Sequence, residues 1–509
     1  MERRALLAVL LSVVAVVVWY SLFPPEAPRG TPAATPGGES AETSRGEGLG
    51  EGAGEGEGAE GVEAIVGDGE EQVELEGDGF RAVLSNRGAV LVSWKLEKYR
   101  DEKGGAQELV GGKVLPLTLE PDGPWNEAIF RVRREGNGVS FLWADGRGRW
   151  VEKRVVPEGP YGLRVQVRGK GIGGPVRVVV ASGLATWGAG KGGALARWDF
   201  VAGLDGKVER VGAGKDKQLA IPGGAGFVGA EDQYFLWVVV PQRSSGGSLD
   251  GAKGLALVEG KDEVEGLLLG APKEHKLLKS FGKGLEETLS FGLFGFFSLA
   301  FLEVLRWIYG WSGNWGVGIV VLTAIIRLLL FPLTHKSTVA MRRMAQLQPK
   351  IKAIQERYQE RARKDPAART RMNQEMMELY RREGVNPLGG CLPMLVQVPI
   401  LWALYTLFAF AIELRHQPFV LWIKDLSAKD PTYITPILMT ASMVLQQRLA
   451  PQTGDPAQRR MFMLLPFVFG LMFMNFPSGL VLYWLVNNLL TIAQQLATEK
   501  LLARGSRGV

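Results

Sequence analysis

The chain has 509 residues, more than one ordinary domain needs, and its net charge of only +6 gives no global signal for nucleic-acid binding. A single cysteine, Cys391, excludes an intramolecular disulfide and a cysteine-rich zinc site, and the three histidines lie far apart without metal-ligand spacing. The sequence also lacks a GxxxxGK[ST] phosphate-binding loop, so we expect no cofactor and no metal.

The N-terminus predicts a membrane anchor followed by a linker. Residues 5–23 carry no charge and are long enough as a helix to cross a bilayer. A cleaved signal peptide would have the same basic start and apolar core. The length of the run, its Trp19-Tyr20 end and the lack of a small-x-small cleavage site favour an uncleaved transmembrane anchor, residues 1–23, with a cytoplasmic N-terminus. Residues 24–61, rich in Gly, Pro and Glu, predict a disordered acidic linker.

Residues 62–285 predict a domain of the all-β class outside the cytoplasm. Apolar and polar residues alternate with period two in runs such as 139–143 and 161–168, which is typical of half-buried strands. Frequent glycines suit the tight turns between strands. The length allows a sizeable core between two sheets, so a β-sandwich is expected. No catalytic constellation is present, and the preceding anchor places this domain outside the cytoplasm.

The next segment, residues 286–313, predicts an amphipathic helix at the outer membrane surface. It is rich in aromatic residues but carries Glu303 and Arg306 near its middle. A further span or a buried helix remains an alternative. We prefer the interfacial position because residues 314–333 directly afterwards already supply a span.

Residues 314–500 predict a polytopic α-helical membrane core with five spans, six with the N-terminal anchor. After 314–333, the predicted spans are residues 392–412, 433–450, 461–476 and 479–497. The loop 336–383 carries 13 Lys/Arg against six Asp/Glu, which places it in the cytoplasm. The same rule places the short tail, residues 501–509, in the cytoplasm. The protein is therefore predicted to be a multi-pass membrane protein with both termini in the cytoplasm.

The cytoplasmic loop 336–383 predicts a hairpin of two amphipathic helices that break at Asp365-Pro366. Its basic surface is suited to anionic membrane lipids. Ribosomal RNA or a partner protein is the alternative ligand for that surface. No feature indicates recognition of a specific nucleic-acid sequence.

Arg327, within the first core span, is the main candidate functional residue. A charge at the bilayer centre costs about 2.5–3.5 kcal/mol on insertion scales. The five core spans contain no acidic residue except Glu413 at a membrane edge, so a hydrated cavity is the remaining way to keep Arg327 charged. The alternative is an arginine that snorkels to the cytoplasmic surface.

Other spans place polar or amphipathic groups at similar depth. Thr323 lies one helical turn before Arg327, on the same face. The other candidates for the lining of this cavity are Gln397, Gln447, Trp484 and Asn488. Amides in transmembrane helices also hold helices together without any further role, and this alternative applies to each of them.

Four stretches carry a resemblance to a known family: NWGVGIVVLTAIIRLLLFPLTHKSTVAMRRMAQLQPKI, NPLGGCLPMLVQVPILWALY, PFVLWIKDLSAKDPTYITPILM and FPSGLVLYWLVNNLLTIAQQ. They resemble the membrane core of the YidC/Oxa/Alb insertase family, and EDQYFLWVVVP resembles the large periplasmic domain of its Gram-negative members. The resemblance implies a β-supersandwich domain without catalytic function. It also implies a polar groove, open to cytoplasm and lipid, with Arg327, Thr323, Gln397 and Trp484 at groove positions. Many members have Tyr where this chain has Trp484.

The resemblance implies a non-enzymatic function, the insertion and folding of inner-membrane proteins, alone or with the Sec translocon. The implied partners are nascent membrane proteins, the Sec translocon, membrane lipids and the ribosome, which the basic hairpin would contact. A small-solute transporter or channel is the alternative, but it needs a polar path across the whole bilayer. An intramembrane enzyme needs a nucleophile–base pair or metal site, and the core spans contain neither His nor Asp.

Overall fold

The structure is a computed structural model and describes residues 63–186, 198–242, 245–289, 291–385, 392–449 and 456–505. The predicted anchor 1–23 and the linker 24–61 lie outside these residues, as does the end of the tail. A β-rich part is followed by a helical part with long apolar helices. This order confirms the coarse prediction of a β domain joined to a helical membrane core.

Eighteen strands occur in the described part of the β-rich region. They are β1 Gln72–Gly77, β2 Phe80–Ser85, β3 Val90–Arg100, β4 Ala106–Glu108, β5 Leu119–Glu120, β6 Arg131–Glu135, β7 Gly138–Ala144, β8 Trp150–Pro157, β9 Gly162–Lys170, β10 Val176–Ala181, β11 Asp199–Leu204, β12 Lys207–Gly212, β13 Gln218–Ile221, β14 Phe227–Glu231, β15 Phe235–Pro241, β16 Gly246–Asp250, β17 Leu255–Gly260 and β18 Glu263–Pro272.

The strands form three antiparallel sheets. Their orders are β1-β2-β3-β4, β13-β16-β17-β10-β5 and β12-β11-β14-β15-β18-β9-β8-β7-β6. The alternation read from residues 161–168 is present in β9, where Leu163, Val165 and Val167 are buried and Arg168 is exposed. The reason is that successive side chains of a strand point to opposite faces of the sheet, and only one face packs on the core.

Large aromatic side chains form the centre of the β-domain core. Trp94 is fully buried, stacks on Phe80 at 4.0 Å between ring centroids and meets Trp237 edge-on at 5.2 Å. The indole N–H of Trp94 donates to the carbonyl of Gly270 at 3.1 Å, and that of Trp237 donates to the carbonyl of Val180 at 2.8 Å. Both polar atoms are therefore satisfied, as buried indoles require.

Lys153 is a core residue that the sequence does not predict to be buried. Its side chain is fully buried, and Nζ donates to the carbonyls of Gly88 at 2.6 Å, Ala89 at 3.3 Å and Leu117 at 2.7 Å. All three acceptor residues have positive φ, at 69°, 46° and 74°. This conformation is costly for Ala and Leu, so the lysine stabilises two strained turns by satisfying their carbonyl groups. Burial lowers the pKa of Lys153 to about 7.

The stability of the β domain should therefore rise with pH above 7. Between a folded pKa of about 7 and an ordinary pKa near 10.5, the unfolded chain holds a proton on Lys153 that the folded chain lacks. Unfolding then becomes less favourable by at most about 1.4 kcal/mol per pH unit in that window. Calorimetric unfolding of the full chain from pH 7 to 9 should show this rise in the stability of the β domain. The Lys153→Met variant should lack the rise. The same slope in both proteins would contradict the assignment.

Nine α-helices occur among the described residues. They are α1 Pro124–Glu127, α2 His275–Phe281, α3 Gly295–Ser312, α4 Trp315–Lys364, α5 Pro366–Arg382, α6 Leu392–Phe410, α7 Ile434–Leu449, α8 Pro456–Phe473 and α9 Ser478–Gly505. Short 3-10 turns at Leu285–Thr288, Gly292–Phe294 and Ile412–Leu414 lie between them.

The first core span and the first hairpin helix form one continuous helix. α4 has 50 residues and contains Pro332 and Pro349, so no break occurs at residue 336, where the sequence analysis begins the hairpin. Hydrogen bonds before and after each proline sustain the helix despite the missing N–H group. α4 ends at Lys364, and the Asp365 side chain accepts from the N–H of Ala367 at 2.8 Å to cap α5. The break between the hairpin helices is thus where the sequence predicts it.

By length and composition alone, three helices in the described part are able to cross a membrane. They are Gly292–Ser312, Trp315–Tyr358 and Ser478–Thr498, and shorter apolar segments occur at Val396–Phe410 and Phe462–Phe473. The predicted count of six spans therefore remains a prediction. The same holds for the interfacial position of α3, because its length also suits a span.

Candidate functional site

The membrane core forms around α9. This helix packs against α4, α6 and α7, and residues such as Leu480, Val481 and Tyr483 share a buried apolar cluster with Ile319 and Leu407. Every predicted site residue lies on one of these four helices. The polar contacts of the site are consequently contacts between α9 and its neighbours.

Arg327 lies between α4 and α9. Its guanidinium Nη2 donates to the backbone carbonyl of Asn487 at 3.1 Å. Nε is buried and has no hydrogen-bond partner in the described part of the chain. No ion pair joins Arg327 to a described carboxylate. A buried donor without a protein partner is costly unless water reaches it, so this geometry is compatible with a hydrated cavity.

In addition to the Arg327–Asn487 contact, side-chain hydrogen bonds of two other predicted site residues join α9 to α6 and α7. The amide Nε2 of Gln397 on α6 donates to the hydroxyl of Tyr483 at 2.5 Å. The amide Nδ2 of Asn488 donates to the hydroxyl of Ser442 on α7 at 3.0 Å, and both of these side chains are buried. These contacts have the geometry of helix-stitching hydrogen bonds, the alternative role noted for each amide.

The other predicted site residues have different surroundings. Thr323 is fully buried, and its hydroxyl donates to the carbonyl of Ile319 at 2.6 Å within α4, so it makes no polar contact across helices. Trp484 packs against Phe469 and Phe473 of α8, with ring centroids 6.1 and 5.0 Å away. Gln447 is half-buried near the end of α7. The structure thus brings Arg327 and Gln397 to α9 and leaves Thr323 within its own helix.

Sequence reasoning missed three residues of this polar region. Tyr483 was passed over in favour of its neighbour Trp484, although a tyrosine inside a span needs a partner for its hydroxyl. Thr334 and Gln494 were also missed, and Gln494 Nε2 donates to Thr334 Oγ1 at 3.0 Å. Both follow the Arg327–Asn487 contact by seven residues, which is two helical turns. That repeat on both helices is a signal that a search of the sequence could have used.

The polar seam between α4 and α9 continues toward the hairpin. Beyond the Thr334–Gln494 contact, His335 Nδ1 and Gln495 Oε1 are buried atoms without a hydrogen-bond partner in the part of the chain described. Together with Arg327 Nε they place three such atoms on these two helices. No group of acidic, histidine or cysteine residues able to hold a metal ion occurs among the described residues. The unpartnered atoms of the seam can bind polar or acidic groups.

Comparison with known proteins gives consistent matches. The family model described as 60Kd inner membrane protein matches residues 307–504. A Geobacter metallireducens protein named membrane protein insertase YidC is 34% identical over 99% of this chain and 99% of its own length. A Geobacter sulfurreducens protein of the same name is 36% identical over 82% of this chain and 84% of its own. A crystal structure described as an active YidC insertase covers 86% of this chain and 95% of its own, at 19% identity and a TM-score of 0.39.

Proposed function

This chain belongs to the YidC family of membrane protein insertases, and we propose that it inserts clients through a polar groove centred on Arg327. Its function is membrane protein insertion, and the family acts on nascent membrane proteins at the inner membrane. We propose that Arg327, Thr323, Gln397, Gln447, Trp484 and Asn488 line the groove. Tyr483, Thr334 and Gln494 extend it.

The observation that carries this proposal is the position of Arg327. Its guanidinium lies between two apolar helices, with one backbone carbonyl as acceptor and a buried Nε that lacks a partner among the described residues. In dry hydrocarbon such a charge is expensive, whereas water from the cytoplasmic side offsets the cost. His335 Nδ1 and Gln495 Oε1 are also buried without a partner among the described residues, and they lie between Arg327 and the hairpin along α4 and α9. They therefore support entry of water from the hairpin side.

Insertion through such a groove follows from solvation. A polar client segment that crosses hydrocarbon leaves its backbone groups unsatisfied, at several kcal/mol each. A groove with water and side-chain partners shortens the dry distance. Arg327 attracts the acidic flank of the client, and the apolar client helix then moves sideways into lipid. Exposed apolar residues on the adjoining helices, Val398 of α6 and Phe467 and Leu471 of α8, offer a surface for that exit.

We propose a topology of six spans with both termini in the cytoplasm and the β domain in the periplasm. The proposed units are the anchor 1–23, the linker 24–61, the β domain 62–285, the interfacial helix 286–313 and the core 314–500. Exposed aromatic side chains on α3, Phe296, Trp307 and Trp311, support its position along the outer membrane surface.

The hairpin 336–383 is proposed to contact membrane lipids and the ribosome, and the protein is proposed to act alone or with the Sec translocon. Leu347, Ile351 and Val385 hold the hairpin together, and its basic residues Arg343 and Lys352 are exposed. Exposed cations near the cytoplasmic leaflet suit lipid and RNA phosphates alike.

Site-specific photocrosslinking to a stalled nascent membrane protein tests the groove. Photoreactive residues at positions 327, 323 and 484 should crosslink to the client. Position 328 is the matched control. Leu328 is the next residue of α4, and its side chain is 74% exposed on the outer surface of the protein. Crosslinks from 328 that equal or exceed those from 327 would contradict the proposed path.

A further inference from the structure

The outer end of α6 lies against the β domain. The segment 409–416 begins in the last turn of α6 and includes the 3-10 turn Ile412–Leu414. It contacts both the β domain and α3. We refer to this segment and its β-domain contacts as the junction. The sequence pattern predicts the β domain as a separate unit, without a contact to the end of α6.

Arg415 is the most extensively bound residue of the junction. Its guanidinium donates to the carbonyl of Arg100 at 3.1 Å and to Oε1 of Gln107 at 2.8 Å. It also lies over the rings of Tyr234 and Phe235, at 5.6 and 5.1 Å from their centroids. A planar guanidinium suits this combination of hydrogen bonding and stacking, and a lysine ammonium does not reproduce it.

Two further contacts fix the same segment. Gln233 Nε2 of the β14–β15 turn donates to the carbonyl of Ala409 at 2.5 Å, which satisfies one of the free carbonyls at the end of α6. Ile412 is buried within the same apolar cluster as the β-domain core. The turn that carries Gln233 is itself held by buried groups, since Lys273 bridges Glu231 at 3.0 Å and the carbonyl of Asp232 at 3.1 Å.

An ionic cluster also joins the segment to α3. Arg306 pairs with Glu413 and, at 2.6 Å, with Glu303, and Lys276 of α2 pairs with Glu303 at 2.9 Å. The side chains of Arg306 and Glu413 are only 16% and 13% exposed, so this pair is screened less than the exposed Lys276 pair. The segment 409–416 is therefore held by the β domain and by α3.

We infer that the β domain, through Arg415, holds the outer half of α6 against the core. Pro399 lies inside α6, two residues after Gln397 and ten before Ala409. A proline within a helix removes one backbone hydrogen bond and permits bending. With its outer end fixed, α6 bends at Pro399, and the inner end with Gln397 moves relative to Tyr483. Arg415 is thus a positioning residue, and this inference rests on the proposed groove.

Distance measurements between spin labels test the inference in full-length protein with Cys391→Ser. One label pair, at Lys261 and Lys424, reports the β domain against the outer loop. A second pair, at Trp402 and Asn475, reports the outer half of α6 against the start of α9. All four native residues are exposed. Arg168→Ala is the matched control, because Arg168 is exposed and its ion pair is with Glu263 on β18.

Arg415→Ala should at least double the width of both distance distributions, Arg415→Lys should give an intermediate width, and Arg168→Ala should leave both unchanged. If only the first pair broadens, the β domain is docked but does not position α6, and the inference is overturned. If neither pair broadens, the junction does not hold α6, and if only the second pair broadens, Arg415 acts on α6 without the docking of the β domain. Either result overturns the inference as well. The measurement uses no client, so its failure is separate from any failure of Arg327 variants in insertion.

Discussion

Arg327→Glu is expected to lower insertion of clients with acidic flanks by at least about tenfold in reconstituted vesicles. Two unit charges 4 Å apart at an effective dielectric constant of 20 interact by about 4 kcal/mol, and about 1.4 kcal/mol corresponds to tenfold. Reversal of the charge turns an attraction for the client into a repulsion. It also replaces the donor that faces the carbonyl of Asn487 with an acceptor. The initial insertion rate of a purified client into vesicles is the measurement.

Arg327→Lys is the matched control for this charge reversal. It keeps the positive charge and one donor toward Asn487, so it should retain most of the insertion rate. Clients with neutral or basic flanks should be less sensitive to Arg327→Glu than acidic ones. Equal rates for the lysine and glutamate variants on acidic clients would show that the charge of residue 327 has no role.

Trp94→Ala is expected to destabilise the β domain by about 3–5 kcal/mol, the usual cost of truncating a buried aromatic side chain. Trp94 has no exposed surface, stacks on Phe80, and its indole donates to the Gly270 carbonyl. Loss of the indole creates a large cavity and leaves that carbonyl without this donor. Calorimetric unfolding of the full chain in detergent measures the change in the β-domain transition.

Trp307→Ala provides the same chemical change at an exposed position. Trp307 is 68% exposed on α3, so its truncation should leave the β-domain transition within about 0.5 kcal/mol of the parent protein. Comparable losses in both variants would mean that Trp94 does not belong to the core of the β domain.

The sequence predicts most features that depend on local pattern. Period-two alternation identifies β9, and Asp365-Pro366 identifies the end of α4, because strand pleat and proline sterics act over a few residues. The absence of acids from the core spans likewise singles out Arg327. Its contact with the Asn487 carbonyl was not predicted, because a backbone acceptor on another helix leaves no trace in residue identity.

The features that the sequence does not predict depend on distant parts of the chain. Lys153 looks like any strand lysine, and only the turns at Gly88 and Leu117 make its burial favourable. Arg415 is one charge in a balanced loop until the fold brings Tyr234 and Gln107 beside it. The continuity of α4 from the predicted span 314–333 into the hairpin at residue 336 was not predicted either, although Pro332 already lay inside that predicted span.

Water access to position 327 tests the central claim most directly. In a Cys391→Ser background, Arg327→Cys and the neighbouring control Leu328→Cys are treated with a membrane-impermeant thiol reagent from either side of oriented vesicles. The groove predicts rapid labelling of position 327 from the cytoplasmic side alone, with little labelling of position 328. A cysteine at 327 that resists the reagent from both sides, or that reacts only from the periplasmic side, would contradict a groove open to the cytoplasm.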